Sequence, residues 1–155
     1  MKIGIVNGNR KLNLNIKDET LHIKLIETDT DEIFDILILN KRVDFDAKKL
    51  LDLGSKKTLV LINCDEYESF GAFKNILLIT YGMNNKSCVT LSSISHNKIQ
   101  LCIQRNLLAL NNKIVEEQEI CIDIPNGEKF LDEVIFFAAA NILIYGDANN
   151  LSRWF

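Results

Sequence analysis

The chain has 155 residues, of which 47% are hydrophobic, and its formal net charge is −3 at pH 7. This length and hydrophobic content predict one domain, residues 1–155, with a buried core. Lysine and arginine form no block or stripe, which argues against nucleic acid as a partner. The longest apolar run, 134–145, is interrupted by Asn141 and is too short to span a membrane.

The four cysteines are widely separated, and no two of them form a Cys-x-x-Cys pair. Each lies in an apolar, strand-like run, which predicts reduced thiols in the core: Cys64, Cys88, Cys102 and Cys121. The opening strand-like run, Lys2–Val6, is too short for the apolar part of a signal peptide. Together these features favour a cytoplasmic protein.

The first half of the chain predicts strands that alternate with helices. Apolar and polar residues alternate at 12–16 and 21–25, which predicts a hairpin with one solvated face. Three continuous apolar runs are typical of buried parallel strands: Phe34–Leu39, Lys57–Asn63 and Ile76–Tyr81. Helices are predicted between these runs, at Ala47–Leu53, ending at Gly54, and at Glu66–Phe73. The order predicts βαβ units, and therefore an α/β fold with a mostly parallel, Rossmann-like sheet.

The second half has a different pattern. Three strand-like segments follow Gly82 and are joined by short polar turns: Cys88–Ile94, Lys98–Leu110 and Lys113–Ile124. Such turns join antiparallel neighbours, so an antiparallel three-strand meander is predicted. A closing helix is predicted from about Glu128 to Tyr145, ending near Gly146. Its predicted core-facing side consists of Phe130, Val134, Phe137, Ala138 and Asn141.

Five segments in chain order resemble the middle domain of the Mur ligases, the ATP-dependent enzymes that add amino acids to peptidoglycan precursors. They are FDILILN at Phe34–Asn40, DAKKLL at Asp46–Leu51, TLVLINCDE at Thr58–Glu66, ITYGMNNKSCVTLSSI at Ile79–Ile94, and EVIFFAAANILIYG at Glu133–Gly146. The segment at 79–94, a strand followed by a glycine, a polar turn and a second strand, is the most informative of the five. The resemblance implies the family's α/β fold in a shortened and degenerate form.

The residues that serve catalysis in that family are altered here. Family members carry a phosphate-binding loop of the type Gly-Thr-Asn-Gly-Lys-Thr, whereas the nearest candidate, Gly4–Lys11, has no Gly-Lys-Thr and no helix pattern behind it. We therefore interpret Gly4–Lys11 as a structural strand and turn. The family's Asp-His-x-Asp metal motif corresponds to Lys41–Asp46, which contains no histidine, and Asp44 and Asp46 are interpreted as helix caps.

The strand ends supply the best candidate for a ligand crevice. Asn63, Asp65 and Glu66 come at the carboxyl end of a predicted parallel strand, where α/β folds place ligands. The other predicted members are Lys48, which matches a metal-bridging lysine of the family, and Tyr81-Gly82. The competing interpretations are a surface turn at 63–66 and a solvated helix lysine at Lys48. At the other end of the chain, Trp154 and Phe155 either dock on the domain or contact a partner protein.

Three hypotheses about function remain open. The leading one is a non-catalytic, Mur-ligase-like binding or regulatory module linked to cell-wall (peptidoglycan) metabolism, with no catalytic residue, no metal and no cofactor. The second is a divergent nucleotide-binding ligase fragment that uses ATP and magnesium with another chain, because Lys48, Asn63 and Asp65 survive. The third is a structural, self-associating interaction protein that uses an edge strand of the meander or Trp154-Phe155.

Overall fold

A computed structural model of the chain describes residues 1–6, 22–26, 32–39, 54–67, 77–124 and 131–148. The chain divides into two compact units, Met1–Ile79 (unit 1) and Thr80–Phe155 (unit 2). Parallel strands dominate unit 1, while unit 2 combines antiparallel strands with a helix. The α/β class, with both parallel and antiparallel strands and a closing helix, is therefore confirmed.

The described parallel strands of unit 1 are β1 Lys2–Val6, β2 His22–Ile26, β3 Phe34–Leu39 and β4 Gly54–Asn63. Their spatial order is β2-β1-β3-β4, and every pair in this series is parallel. All four strands therefore point their carboxyl ends toward the same edge of the sheet.

Both faces of β3 are buried. In β3, Ile36 and Ile38 alternate with Leu37 and Leu39, and none of the four is more than 1% exposed. Because successive side chains of a strand point to opposite faces, burial of all four means that both faces of β3 are covered. A continuous apolar run is the sequence pattern that such a doubly covered parallel strand requires, as predicted for Phe34–Leu39.

Gly4 lies inside β1, on the face that carries one core cluster. This cluster consists of Ile26, Phe34, Leu37, Leu39, Val60 and Ile62. A Cβ added to Gly4 would lie 2.5 Å from Ile26 Cδ1, 3.0 Å from Phe34 Cγ and 3.1 Å from Leu37 Cδ2. Side chains from β2 and β3 therefore occupy the space that any larger residue at this position would need.

Two details of unit 1 differ from the predictions. First, β2 pairs in parallel with β1 from Lys2–His22 to Val6–Ile26, whereas a hairpin is predicted for it. The alternation that exposes His22 and Lys24 also suits an outer strand of a parallel sheet, so the pattern alone did not select the partner. Residues 12–16, the predicted other half of the hairpin, lie outside the described residues.

Second, β4 begins at Gly54, where the sequence predicts the end of a helix. Gly54 pairs with Phe34, and the register then shifts before Ile36 pairs with Leu59. The Thr58 hydroxyl donates a hydrogen bond to the Phe34 carbonyl at 2.7 Å across this irregularity. The polar first part of β4 is therefore stabilised by a contact with β3. The predicted helices at 47–53 and, for the most part, 66–73 fall outside the described residues; Glu66 and Tyr67, which are described, are not helical.

Strand β5, Leu77–Tyr81, leads into unit 2 and confirms the predicted strand at Ile76–Tyr81. Three antiparallel strands follow in the order β10-β7-β6, namely β6 Val89–Ser95, β7 Lys98–Ile103 and β10 Gln118–Asp123. The predicted meander is thereby confirmed. Between β7 and β10, β8 Leu107–Leu108 and β9 Ile114–Val115 form a small separate sheet. Each of the two longer predicted strands, Lys98–Leu110 and Lys113–Ile124, is therefore divided in two, at the exposed polar residues 104–106 and 116–117.

The closing helix, α1, spans Leu131–Tyr145. Its predicted start at Glu128 and the side chain of Phe130 lie outside the described residues. The predicted core-facing side is too narrow, because every residue from Val134 to Ile144 except Phe137 is buried. A helix that is apolar around most of its circumference is surrounded by protein, and its three central alanines allow close packing.

The helix ends as predicted at Gly146, which has a positive φ of 61°. Its N–H donates to the carbonyl of Ile142 at 2.9 Å, which is the hydrogen bond of a left-handed helix cap. The β8–β9 turn covers further carbonyls of the last helical turn. Leu110 N–H donates to the Leu143 carbonyl at 2.9 Å, and Asn111 Nδ2 donates to the Tyr145 carbonyl at 2.7 Å.

Asn111→Ala is expected to lower the free energy of unfolding by about 1 kcal/mol, because a side-chain cap on the helix carboxyl end is lost. Asn111 Oδ1 also accepts from Lys113 N–H at 3.1 Å, so the turn loses a second contact. Urea unfolding followed by circular dichroism measures the change. Asn112→Gly is the matched control, since Asn112 has a positive φ of 62° that glycine adopts without strain. Equal stability of Asn111→Ala and the parent chain would contradict this capping role.

Among the described residues, no helix is long and apolar enough to cross a membrane.

Candidate functional site

The carboxyl end of β4 is followed by an ordered polar turn, residues 63–66, which we call the Asn63 turn. Asn63 is only 9% exposed, and its side-chain Oδ1 accepts a hydrogen bond from the Asp65 N–H at 3.0 Å. The Glu66 N–H donates to the backbone carbonyl of Asn63 at 3.3 Å. An asparagine that bonds the backbone two residues ahead in this way replaces a backbone turn and holds the loop in one conformation.

The Asn63 turn presents two exposed carboxylates, Asp65 and Glu66, at the edge of the sheet where the parallel strands end. Two adjacent carboxylates accept hydrogen bonds and attract cationic groups such as ammonium or guanidinium. Within the described part of the chain, no three histidine, cysteine, aspartate or glutamate side chains come together as a group of metal ligands. The two carboxylates of the turn can attract a positively charged or hydrogen-bond-donating ligand.

The remaining predicted site residues are placed differently. Lys48, the predicted cap residues Asp44 and Asp46, and the terminal Trp154 and Phe155 all lie outside the described residues. Their predicted roles stay predictions.

Tyr81 and Gly82 belong to unit 2. The Tyr81 side chain is 1% exposed, and its ring centroid lies 5.7 Å from that of Phe136 in α1, at an interplanar angle of 59°. This geometry is an aromatic packing contact in the core. The structure thus shows a packing role for the Tyr81 ring, while a ligand role stays a prediction.

Gly82 forms a corner between β5 and β6, with a φ of 138° that favours glycine. The Cys88 N–H donates to the Thr80 carbonyl at 2.8 Å, and the Gly82 N–H donates to the Val89 carbonyl at 3.2 Å. Only Tyr81 and Val89 form a parallel strand pair between β5 and β6. The chain therefore leaves the direction of β5 at Gly82, and β6 runs parallel to β5 again. We call the short connection between them, residues 82–88, the hook.

This hook is held internally by polar contacts. Asn84 Oδ1 accepts from the Lys86 N–H at 3.0 Å, and the Asn84 carbonyl accepts from the Ser87 N–H at 2.9 Å. The Thr80 hydroxyl lies 2.9 Å from the Cys88 N–H and 3.3 Å from the Cys88 sulfur. The predicted corner at Gly82 is thus confirmed as a structural feature of unit 2.

Gly4, which opens the candidate phosphate loop, is buried in the core of unit 1. A phosphate-binding glycine must leave open space beside its Cα for the phosphate oxygens. At Gly4 that space is filled by side chains of Ile26, Phe34 and Leu37. Gly4 lies within β1, as the strand part of the structural interpretation predicts. Residues 7–11 lie outside the described part.

The sequence interpretation did not identify a polar network on the exposed face of the meander. Glu119 Oε1 accepts from the Ser92 hydroxyl at 2.7 Å, and its second oxygen accepts from Gln100 Nε2. The Gln100 Oε1 accepts from the Ser93 hydroxyl at 3.1 Å. In the sequence, polar residues alternate with Leu91, Ile99, Leu101, Ile120 and Ile122. This alternation does not reveal which polar residues lie opposite one another on neighbouring strands.

All four cysteines lie in the described part of the chain, and none of them forms a disulfide bond. Cys64 and Cys88 are buried, as predicted, whereas Cys102 is partly exposed and Cys121 is exposed. The core prediction is wrong for Cys121 because it alternates with the buried Ile120 and Ile122 and so points to the opposite face of β10. Burial raises the pKa of the Cys102 thiol, and the nearby carboxylates of Glu119 and Glu117 raise this pKa further.

In unit 1 the described candidate site thus consists of the Asn63 turn at the carboxyl edge of the sheet.

No protein-family model matches the chain, and a search of curated proteins finds no match.

Proposed function

We propose that the chain is a non-catalytic relative of the Mur ligase middle domain, with a Rossmann-like unit 1. In this proposal it is a cytoplasmic binding or regulatory module in cell-wall (peptidoglycan) metabolism. The proposal has two parts, a ligand site at the carboxyl edge of the parallel strands and the absence of phosphate-transfer chemistry.

The observation that carries the binding part is the strand order β2-β1-β3-β4. After β1 the chain adds β2 on one side, and it then returns to add β3 on the other side of β1. In open α/β sheets, ligands bind outside the carboxyl ends of the strands at such a reversal. β4 is the strand next to β3, so the Asn63 turn borders this position.

The packing of Gly4 supports the non-catalytic part. β1 occupies the position beside the reversal, where a phosphate-binding loop would follow the strand. Within β1 itself, Gly4 is required by the core, because the side chains that surround it leave no room for a Cβ. The glycine is therefore explained by packing without any nucleotide.

The charges of the Asn63 turn indicate what kind of ligand it would hold. Asp65 and Glu66 are exposed carboxylates on a backbone ordered by Asn63. They would repel the phosphates of a nucleotide and attract an ammonium group. Peptidoglycan precursors that carry amino acids present such groups, and this complementarity agrees with the proposed link to cell-wall metabolism.

NMR titration of the full chain with a soluble, peptide-bearing peptidoglycan precursor tests the proposal. We expect the amide signals of residues 63–66 to shift. The double variant Asp65→Asn/Glu66→Gln is expected to bind about ten-fold more weakly, because a charged hydrogen bond contributes about 1.5 kcal/mol. Asp132→Asn, which removes an exposed carboxylate in unit 2, is the matched control and is expected to bind like the parent chain.

Activity assays distinguish the alternative. Hydrolysis of ATP with magnesium that is abolished by Lys11→Ala or Lys48→Ala would overturn the proposal in favour of a divergent nucleotide-binding ligase fragment. Unchanged amide signals at 63–66 at millimolar precursor would overturn the binding part.

A further inference from the structure

Strand β10 ends the antiparallel sheet of unit 2 and has one strand neighbour, β7. Along the described residues, its second edge forms no strand pair. All six residues of β10, Gln118 to Asp123, are in register with β7, so the strand is regular over its whole length. A regular outer strand presents a row of backbone N–H and C=O groups to any chain that approaches in an extended conformation.

The hydrogen-bond pattern shows which backbone groups point away from the sheet. The Ile124 N–H donates to the Asn97 carbonyl at 2.9 Å, one step beyond the paired residues Asp123 and Lys98. Hydrogen-bonded and non-hydrogen-bonded pairs alternate along an antiparallel ladder. The pairs that contain Glu119, Cys121 and Asp123 are therefore the non-hydrogen-bonded ones, and the N–H and C=O groups of these three residues point to the open edge.

This edge is acidic. Four exposed carboxylates lie on β10 and the residues before it, at Glu116, Glu117, Glu119 and Asp123. The Glu119 carboxylate also accepts hydrogen bonds from Ser92 and Gln100 on the exposed face of the meander. Lys98 Nζ lies 3.6 Å from Asp123 Oδ1 in an exposed ion pair.

A second copy of the chain is a poor occupant of this edge. If β10 paired antiparallel with itself about Cys121, Glu119 would lie opposite Asp123. With the two-fold axis at Ile120, Glu117 would lie opposite Asp123. With the axis at Glu119, the carboxylate of Glu119 would lie opposite that of its copy. Like charges that are directly opposite destabilise a strand pair, so these central registers are disfavoured.

We propose that the open edge of β10 binds an extended, lysine- or arginine-rich segment of a partner protein as an added strand. The outward backbone groups of Glu119, Cys121 and Asp123 would supply the hydrogen bonds, and the flanking carboxylates would select basic side chains. This partner site is independent of the ligand site proposed for unit 1.

The probe is a fluorescent, end-blocked heptapeptide, TKVRVKT, compared with the matched acidic peptide TEVDVET by fluorescence anisotropy. With the full chain at low salt we expect the basic peptide to bind at least about ten-fold more tightly than the acidic one, because like charge opposes the latter. Raising the salt from about 20 to about 300 mM is expected to weaken this binding, since the charges are exposed. Equal binding of the two peptides would overturn the proposal.

A backbone test separates strand addition from charge attraction alone. A basic peptide with alternate amide nitrogens methylated keeps its charge and loses its donors, and we expect about ten-fold weaker binding. In the protein, Cys121→Pro removes one outward N–H and keeps the pairs with β7, while Cys121→Ala is the matched control. If neither the methylated peptide nor Cys121→Pro weakens binding, the added strand is refuted.

Two further measurements keep the proposal testable if Cys121→Pro unfolds. Glu116→Gln/Glu117→Gln leaves β10 intact, and about three-fold weaker binding of the basic peptide is expected for it. Light scattering of the parent chain identifies the self-association alternative, because a dimer that the basic peptide dissociates would assign the edge to a second copy. Either that dimer or unchanged binding by the Glu116→Gln/Glu117→Gln variant would contradict a basic partner segment.

Discussion

Gly4→Val is expected to lower the free energy of unfolding of unit 1 by about 3 kcal/mol, because it places three carbons in space that is already filled. The first of them would lie 2.5 Å from Ile26 Cδ1 and 3.0 Å from Phe34 Cγ. Valine favours β-strands, but that preference spans only about 1 kcal/mol and is outweighed by the overpacking. Gly4→Ala is expected to show a smaller loss of the same sign, since the Ile26 methyl can move.

Urea unfolding with a probe in unit 1 measures this effect. Lys2→Val is the matched control on the same strand, because Lys2 is exposed. Its expected change is within about 0.5 kcal/mol, as for most surface substitutions. If Gly4→Val were as stable as Lys2→Val, the packing explanation of Gly4 would fail, and with it one support for a non-catalytic function.

Phe136→Ala is expected to destabilise unit 2 by about 4 kcal/mol, because a fully buried aromatic side chain is replaced by a cavity. Phe136 is 0% exposed and contacts the rings of Tyr81 at 5.7 Å and Phe137 at 5.4 Å, measured between ring centroids. The aromatic contacts add to the loss of buried area.

The neighbouring Phe137 supplies the control for this experiment. Phe137 is only partly buried, so Phe137→Ala is expected to lower the free energy of unfolding by about half as much. Urea unfolding followed by near-ultraviolet circular dichroism measures both variants. Equal losses for the two would show that Phe136 does not anchor α1 as the burial indicates.

The parallel strands could be recognised from the sequence because burial on both faces demands continuous apolar runs. Phe34–Leu39 and the apolar part of β4 are such runs, and both form strands in unit 1. The meander could be recognised because its turns are short and polar, as at His96-Asn97 between β6 and β7. The helix end at Gly146 was likewise visible, since a glycine there adopts the positive φ that ends a helix.

Other features depend on partners that are distant in sequence. The alternation at His22–Ile26 predicts a strand, yet it does not distinguish a hairpin from parallel pairing with β1. Gly4 looks like the start of a loop for phosphate until Ile26 and Phe34 are seen to surround it. Cys121 belongs to an apolar run, and only the pleat of β10 shows that its side chain is exposed.

The two proposed sites differ in the same way, since one follows from local sequence and the other from distant strand pairing. Asn63, Asp65 and Glu66 follow a strand, and that position alone predicted a polar turn at the carboxyl edge, which the hydrogen bond from Asp65 N–H to Asn63 Oδ1 bears out. The open edge of β10 was not visible in this way. Which strand ends a sheet, and which of its backbone groups point outward, depends on the pairing of segments far apart in the chain.

By itself, the sequence determined the strand-forming segments, the corner at Gly82 and the closing helix, because these depend on local periodicity and on backbone conformations that glycine tolerates. The tertiary structure alone decided the order β2-β1-β3-β4, the role of Gly4 in the core and the acidic edge of β10 that no described strand covers. The physical reason is that strand pairing and core packing join residues whose separation in sequence leaves no periodic pattern. Both the ligand site proposed for unit 1 and the partner site proposed for unit 2 depend on such pairings.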